Sequence, residues 1–202
     1  MSDLVISLST IPPRMGMIGP TLRDLVAQNA RVADIRLYIP RSYRRFEFDP
    51  ATDLPDVPSG VTICMGDDDF GPATKVLHAV RDFAGQDVEI LFCDDDQPYE
   101  PDWAQRFLDQ RARHPDACIV EKGHDIDTRP PGERYRGQDR PQPRAKARKK
   151  DLAYRLFRLL TLLTIKPKPY VADGFVDILE GYRGALIRPD FIPPEAFDIP
   201  DI

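Results

Sequence analysis

The sequence predicts an α/β protein with a mostly parallel sheet flanked by helices. Short apolar runs of strand length alternate with segments of helical period over roughly the first 120 residues, as in repeated β–α units. Aspartate triplets come after two of the runs, one directly and one after a single glycine, and the carboxyl ends of strands are where open α/β sheets bind ligands. At 202 residues the chain is long enough for one domain with a substantial core.

The predicted elements follow from apolar spacing and from the residues that interrupt it. Five apolar runs predict strands at residues 4–9, 35–39, 61–65, 88–93 and 117–120. Apolar residues at helical spacing predict helices over about 20–30, 72–83 and 101–113. The polar, proline-punctuated stretch 41–60 predicts a surface excursion.

Composition and charge narrow the class of protein. Hydrophobic residues make up 42% of the chain and charged residues 30%, which is typical of a soluble globular protein. No apolar run approaches the roughly 18 residues of a membrane span, and Met1 is not followed by a signal peptide pattern. Cys64, Cys93 and Cys118 are widely spaced without a metal-type pairing, so we expect buried, reduced thiols in a cytoplasmic protein.

Asp94, Asp95 and Asp96 are the most informative residues of the chain. They directly follow the apolar run 88–93 and precede Gln97-Pro98, which ends the predicted strand. Three adjacent carboxylates repel one another unless a cation lies among them. Mg²⁺ and Mn²⁺ prefer oxygen ligands and often share one or two carboxylates with substrate phosphates. The triplet therefore predicts a metal–nucleotide site at a strand end.

A second triplet, Asp67-Asp68-Asp69, has a simpler structural interpretation. It follows the run 61–65 and lies just before Phe70-Gly71-Pro72, where a helix is predicted. Carboxylates are electrostatically favoured at helix N-termini. We therefore expect this triplet to shape a turn and the first one to bind the ligand.

Residues 129–150 form a strongly basic segment. They contain nine Lys or Arg side chains against Glu133 and Asp139, a net charge of +7 in a chain whose total is −5. Four prolines and the absence of apolar periodicity predict a flexible basic loop at about 127–150. The acidic remainder of the chain argues against a general surface for nucleic acid, and none is expected as a partner.

An amphipathic helix is predicted directly after this loop, at about 151–165. Arg155 and Arg158 recur amid leucines and aromatics, and the helix is too short to cross a bilayer. We favour a core or lid helix. The alternative is peripheral contact with an anionic membrane, because the basic segment adjoins it.

The C-terminal part contains a second group of candidate residues. Gly181 and Gly184 flank Tyr182-Arg183, which allows tight turns or a close approach to a ligand. Asp177 and Glu180 are three residues apart, so they would share one face if this segment formed a helical turn. Carboxylates near a metal site could act as a general base on an acceptor hydroxyl.

Taken together, four segments resemble landmarks of bacterial glycosyltransferases of the GT-A fold. In chain order they are Ser7-Leu8-Ser9-Thr10-Ile11-Pro12-Pro13-Arg14, Gly71-Pro72-Ala73-Thr74-Lys75, Phe92-Cys93-Asp94-Asp95-Asp96 and Leu179-Glu180-Gly181-Tyr182-Arg183-Gly184. The aspartate triplet corresponds to the Asp-x-Asp motif of the family 2-like enzymes. The resemblance spans most of residues 4–192, except for the basic loop.

The resemblance implies a Rossmann-like domain that binds a nucleotide-diphosphate sugar linked to UDP or GDP. Asp96, with Asp94, would ligate Mn²⁺ or Mg²⁺, and Asp94 or Asp95 would reach the ribose or a metal-bound water. Thr10, Pro12 and Arg14 would contact the nucleotide. Lys75 would lie near the phosphates or the sugar; without the family context, an exposed helical lysine with a packed stem is an equal alternative.

The sequence departs from the family at its C-terminal end. The family pattern continues into a helix with an Asp-Asp pair, a candidate catalytic base, and residues 185–202 contain no such pair. We therefore expect a single domain over residues 1–202 that is truncated relative to the family. Either Asp177 or Glu180 supplies the base, or the base is absent.

The predicted function is sugar transfer of the hexosyltransferase type to a glycan or other hydroxyl acceptor, in surface polysaccharide or glycan synthesis. A nucleotidyltransferase is the closest alternative enzyme, because it also uses carboxylate-held metal and phosphates. A non-catalytic module that binds nucleotide sugars or docks to membranes is the alternative outside the enzymes. The expected location is cytoplasmic, with peripheral contact at the inner face of the membrane.

Overall fold

The computed structural model of the chain describes residues 2–124, 152–162, 164 and 174–198. The chain divides into two compact units, Met1–Lys122 with Leu179–Ile202 as the first and Gly123–Ile178 as the second. The single-domain expectation stays a prediction, and the basic loop at 127–150 lies outside the described residues. Within the described part, no helix is both long and apolar enough to cross a membrane.

The described residues contain four α-helices and eight strands, together with short 3-10 helices. The helices are Gly19–Val26 (α1), Thr74–Asp82 (α2), Trp103–Arg113 (α3) and Leu152–Leu160 (α4). The strands are Asp3–Ser9 (β1), Asp34–Pro40 (β2), Thr62–Gly66 (β3), Val88–Phe92 (β4), Ile119–Val120 (β5), Gly123–His124 (β6), Ile178–Leu179 (β7) and Ala185–Ile187 (β8). Each helix and strand predicted in the first 120 residues is present, with ends shifted by a few residues.

The central sheet confirms the predicted α/β class. Its strand order is β3-β2-β1-β4-β8-β5. Strand β1 pairs in parallel with both β2 and β4, and β2 pairs in parallel with β3. Strand β8 is antiparallel to β4 and β5, which makes the sheet mixed but mostly parallel. Strand order reverses between β1 and β4, so a crevice is expected at their carboxyl ends.

Apolar side chains cover both faces of this sheet. On β1, Leu4, Ile6 and Leu8 belong to one buried cluster with residues of α1 and α3. Val5 belongs to the other cluster, with residues of α2 and β8. This alternation is the period of a strand that is covered by helices on both sides. The packing fixes the register of β1 against its neighbours and therefore the position of their ends.

A buried ion pair ties α3 to the sheet. Arg111 Nε donates to Glu89 Oε2 of β4 at 3.0 Å, and Arg111 Nη2 donates to the carbonyl of Leu186 in β8 at 3.3 Å. Burial raises the pKa of Glu89, although the Arg111 charge acts in the opposite direction. These contacts help to hold the antiparallel strand β8 beside β4.

Strands β6, β7 and β8 were not predicted from the sequence. Each has two or three residues, which is too short for an alternation to be recognised. Strands β6 and β7 form a separate two-stranded sheet, whereas β8 lies between β4 and β5. Long-range pairing, and not local sequence, determines all three.

The predicted helix at 151–165 is shorter than expected, ending at Leu160. Its interpretation as a core helix is wrong, because Leu156, Leu159 and Leu160 are exposed; a lid role stays a prediction.

All three cysteines are free thiols, as predicted. Cys93 is buried, which raises its pKa to about 12, but Cys64 is half-buried and Cys118 is exposed. Cys118 lies just outside the two-residue strand β5 and not in a longer buried strand.

Candidate functional site

The carboxyl ends of β1 and β4 bring together residues far apart in the sequence. Strand β1 ends at Ser9, and β4 ends at Phe92; Ser7 and Phe92 are register partners in the parallel pairing. The segments that follow, which begin with Thr10 and Cys93, therefore emerge side by side. This edge of the sheet is the crevice expected from the reversal of strand order.

Asp95 is the anchor of this edge. Its side chain is only 6% exposed, and Thr10 Oγ1 donates to its Oδ2 at 2.5 Å. Arg14 Nη1 donates to its Oδ1 at 2.8 Å. Because both oxygens already accept hydrogen bonds from the protein, Asp95 links the segment after β1 to the segment after β4.

Arg14 extends this contact to the next carboxylate. Its Nη2 lies 3.1 Å from Asp96 Oδ2, so one guanidinium bridges Asp95 and Asp96 in the fork geometry that suits arginine. The hydrogen bond to Asp95 is the main reason why the pKa of Arg14 is raised. Pro12 opens the 3-10 helix Pro12–Met17 that carries Arg14, and its fixed φ suits the first position of a helix.

Asp94 pairs with Lys75 and not with Arg14. Its Oδ1 accepts a hydrogen bond from Lys75 Nζ, and Lys75 lies in the first turn of α2. The Lys75 side chain is only 11% exposed, and its Nζ lies 5.8 Å from the centre of the Phe92 ring. The alternative of an exposed helical lysine is therefore wrong. Ser7 Oγ donates to the carbonyl of Lys75, which ties the start of α2 to β1.

Tyr99 holds the triplet and the C-terminal segment together, a role that the sequence did not indicate. Its hydroxyl accepts from the Asp94 N–H at 3.1 Å, and its proton faces the carbonyls of Asp94 at 3.0 Å and Tyr182 at 3.2 Å. Burial raises the pKa of Tyr99, so the phenol remains a donor. Trp103 Nε1 donates to the Arg183 carbonyl at 2.8 Å. The sequence shows only that Tyr99 and Trp103 are four residues apart. The fold shows that they donate to the carbonyl groups of Tyr182 and Arg183.

The two glycines beside Tyr182 allow close packing against aromatic rings. A Cβ at Gly184 would lie 2.7 Å from Trp103 Cζ2, and a Cβ at Gly181 would lie 2.9 Å from Phe92 Cε2. Gly184 also has a φ of +115°, a conformation that L side chains rarely adopt. The sequence predicted tight turns or a close approach to a ligand at these positions, and the close neighbours that the structure shows are side chains of the sheet and of α3.

Asp177 and Glu180 do not share a helical face. Ile178–Leu179 between them is strand β7, so the predicted helical turn is wrong. Glu180 Oε2 lies 3.4 Å from Lys122 Nζ, and the Glu180 N–H donates to the Lys122 carbonyl at 2.9 Å. Asp177 belongs to the other compact unit. A catalytic role for either carboxylate stays a prediction.

The side chains of the second triplet contact exposed groups, and the backbone carbonyl of Asp68 lies 2.9 Å from Nε2 of the buried His78. Asp67 pairs with Arg41 at 3.0 Å, and Asp68 pairs with Arg81 at 2.9 Å. Asp69 accepts from the N–H of Gly71 at 2.9 Å and from the N–H of Arg44 at 2.9 Å. These contacts agree with the predicted role in shaping the turn before α2.

A cleft of about 550 Å³ opens beside the first triplet. Arg14, Asp95 and Asp96 form its charged side, and Thr21 and Asp24 are also part of its lining. Met17, Pro20 and Pro98 supply apolar lining. Small-molecule sites commonly have this volume and combine an apolar wall with a few polar groups.

The described residues contain no group of three or more His, Cys, Asp or Glu side chains placed to hold a metal ion. Two carboxylates still suit a hard divalent ion, because Asp94 and Asp96 are oxygen donors that are 33% and 44% exposed. Mg²⁺ in particular is often bound by one or two carboxylates, together with waters and substrate phosphates.

Comparison with known proteins adds little to this description. No family model matches the sequence, and no curated protein matches it. Among solved structures, the fold is similar to that of S. aureus TarS 1-349, with 13% sequence identity and a TM-score of 0.40. The match covers 64% of this chain and 38% of that chain.

Proposed function

We propose that this chain is a metal-dependent glycosyltransferase that moves a sugar from a nucleotide-diphosphate sugar to a hydroxyl acceptor. One observation carries the proposal: three carboxylates and two cations from separate segments meet at the switch point between β1 and β4, beside a cleft of ligand size. Such a switch point is the usual ligand site of an open α/β sheet.

The charges of the cluster suit a ligand that has charges of both signs. Asp94 pairs with Lys75, and Arg14 pairs with Asp95 and Asp96. A metal–diphosphate complex offers a cation to the carboxylates and anionic oxygens to the two basic side chains. Binding it would exchange the Lys75–Asp94 and Arg14–Asp96 pairs for equivalent pairs with the ligand, while Asp95 keeps its pair with Arg14.

Each residue has a part in this proposal. Asp94 and Asp96 would hold Mn²⁺ or Mg²⁺, which supplies Lewis-acid stabilisation of charge on the departing nucleotide diphosphate. Arg14 and Lys75 would neutralise phosphate oxygens. Thr10 and Asp95 would keep Arg14 in place, and Pro12 would shape the turn beside the nucleotide.

The nucleotide would lie in the cleft beside the triplet. Met17, Pro20 and Pro98 can contact the flat face of a base, whereas Asp24 and Thr21 can accept or donate hydrogen bonds at its edge. Glu180 is the proposed base within the same compact unit, and Asp177 is the alternative. The acceptor is proposed to be a glycan in surface polysaccharide synthesis, at the cytoplasmic face of the membrane.

Calorimetric titration tests the site directly. The chain is titrated with UDP and with GDP, each with Mn²⁺ and with EDTA in place of the metal. We expect one of the two nucleotides to bind, and to bind only with the metal. If neither nucleotide binds under any condition, the proposed donor class is wrong.

A turnover assay then separates the alternatives. Slow metal-dependent hydrolysis of the matching nucleotide sugar, without added nucleoside triphosphate, supports sugar transfer. Exchange of label from pyrophosphate into a nucleoside triphosphate would indicate a nucleotidyltransferase. Binding without turnover over a broad panel of acceptors would indicate a non-catalytic module.

A further inference from the structure

Helix α4, in the unit formed by Gly123–Ile178, has an unusual surface. Five of its large apolar side chains are between 45% and 83% exposed, namely Leu152, Leu156, Phe157, Leu159 and Leu160. Single exposed apolar residues are normal in soluble proteins, but a contiguous group marks an interaction surface. The exposed helix face therefore needs a partner of matching chemistry.

The five side chains lie on one side of the helix. At 3.6 residues per turn, they project within an arc of about 160°. Arg155 and Arg158 fall outside this arc, and the first turn contains no acidic residue. A short helix with an apolar face, a basic flank and no interruption by acids is typical of a segment that lies in a membrane interface.

We propose that α4 docks this chain to the surface of an anionic lipid bilayer. The apolar face would enter the boundary between headgroups and acyl chains, and Arg155 would meet lipid phosphates at its edge. Charge along the chain favours anionic lipid, because residues 129–150, which precede α4 in sequence, carry a net charge of +7 while the whole chain carries −5. Each basic residue near such a surface strengthens the attraction.

The length of α4 argues against a helix that spans the membrane and against a dimer formed by two copies of α4. Nine residues span about 14 Å, which is less than half the roughly 30 Å of a bilayer core. A contact between two copies of so short a helix would bury far less than the roughly 800 Å² per partner of a stable interface. Docking to a bilayer surface does not require so large a protein–protein contact, because one face of a single helix can enter the interface.

The full chain is mixed with vesicles of phosphatidylcholine alone or with added phosphatidylglycerol, and binding is measured by sedimentation. We expect binding to the anionic vesicles, weakening steeply as NaCl rises from about 0.1 M to 1 M, where the screening length falls from about 10 Å to 3 Å. The double variant Leu156→Ser/Leu160→Ser should lower the partition coefficient at least about tenfold, because two leucines no longer enter the interface.

Leu54→Ser is the matched control, since Leu54 is an exposed leucine outside the helix and its loss should leave vesicle binding unchanged. Leu160→Trp adds a direct probe: its fluorescence should shift to the blue with anionic vesicles.

Absent or salt-insensitive binding, equal binding to neutral vesicles, or an unchanged Leu156→Ser/Leu160→Ser variant would overturn the proposal. A dimer that this variant dissociates would instead assign the face to a second copy. No nucleotide is needed, so the result is independent of the transferase proposal.

Discussion

Two identical aspartate triplets follow two strands of the same sheet, yet they have different surroundings. Asp67-Asp68-Asp69 follows β3, which is an edge strand, whereas Asp94-Asp95-Asp96 follows β4, which lies between β1 and β8. The Asp67 side chain is 86% exposed, and the Asp95 side chain is 6% exposed. The position of the strand in the sheet, and not the acidic sequence, decides what the carboxylates contact.

The partners differ in the same way. The edge triplet pairs with exposed Arg41 and Arg81 and with backbone amides of nearby loops. The central triplet meets Arg14 from one side and Lys75 from another. Exposed ion pairs contribute little to stability because water screens them. In the triplet after β4 only Asp95 is withdrawn from water, at 6% exposed, whereas Asp94 and Asp96 are 33% and 44% exposed and stay open to a ligand.

The largest difference should appear in ligand binding. We expect Asp96→Ala to weaken metal-dependent nucleotide binding by at least about a hundredfold, because it removes a proposed metal ligand at the open end of the cleft. Asp68→Ala, the matched change in the edge triplet, should leave the affinity nearly intact. Calorimetric titration with nucleotide and Mn²⁺ measures both. Equal losses in the two variants would mean that the central triplet is not the ligand site.

A smaller difference is expected in stability. Asp95→Ala leaves the buried Thr10 hydroxyl and the Arg14 guanidinium without their shared acceptor, so the free energy of unfolding should fall by about 2 kcal/mol. Asp67→Ala removes one exposed pair and should cause no measurable change. Urea denaturation followed by circular dichroism compares the variants. If Asp95→Ala is as stable as the unmutated chain, the anchoring role of Asp95 is wrong.

The smallest effect is expected from removing the charge of Lys75, which pairs with Asp94. Lys75→Met keeps the packed stem but removes the charge beside Asp94, so affinity for Mn²⁺ alone should rise by about tenfold while nucleotide binding weakens. Arg81→Met beside Asp68 is the control and should change neither. Titration with MnCl₂ without nucleotide gives the first value. Metal affinity that stays unchanged or falls in Lys75→Met would show that Lys75 does not compete with the ion.

Much of the fold was predictable because its signals are local. The strands before Thr10 and before Asp94 are apolar runs bounded by turn residues, and their existence was confirmed. The difference between the two triplets could also be expected, since only Asp69 precedes a helix closely. The central sheet then confirmed the α/β class.

Other features depended on contacts that no local pattern encodes. Tyr99 bridges Asp94 and Tyr182 through its hydroxyl, although the two segments are more than eighty residues apart. Strand β8 has three residues, so only its pairing with β4 identifies it. The predicted helical face of Asp177 and Glu180 was wrong because Ile178–Leu179 pairs as a strand.

Local sequence determined which segments of the first 120 residues become strands and helices, and which of those strands are followed by carboxylates, because apolar period and turn residues act over a few positions. Only the tertiary structure decided that Arg14 and Lys75 would reach the triplet of β4 and leave that of β3 to surface arginines. Strand order sets those neighbours, and strand order is fixed by packing between residues distant in the chain. The charge pattern can be read from the sequence, whereas the grouping of these charges into one candidate site is visible only in the fold.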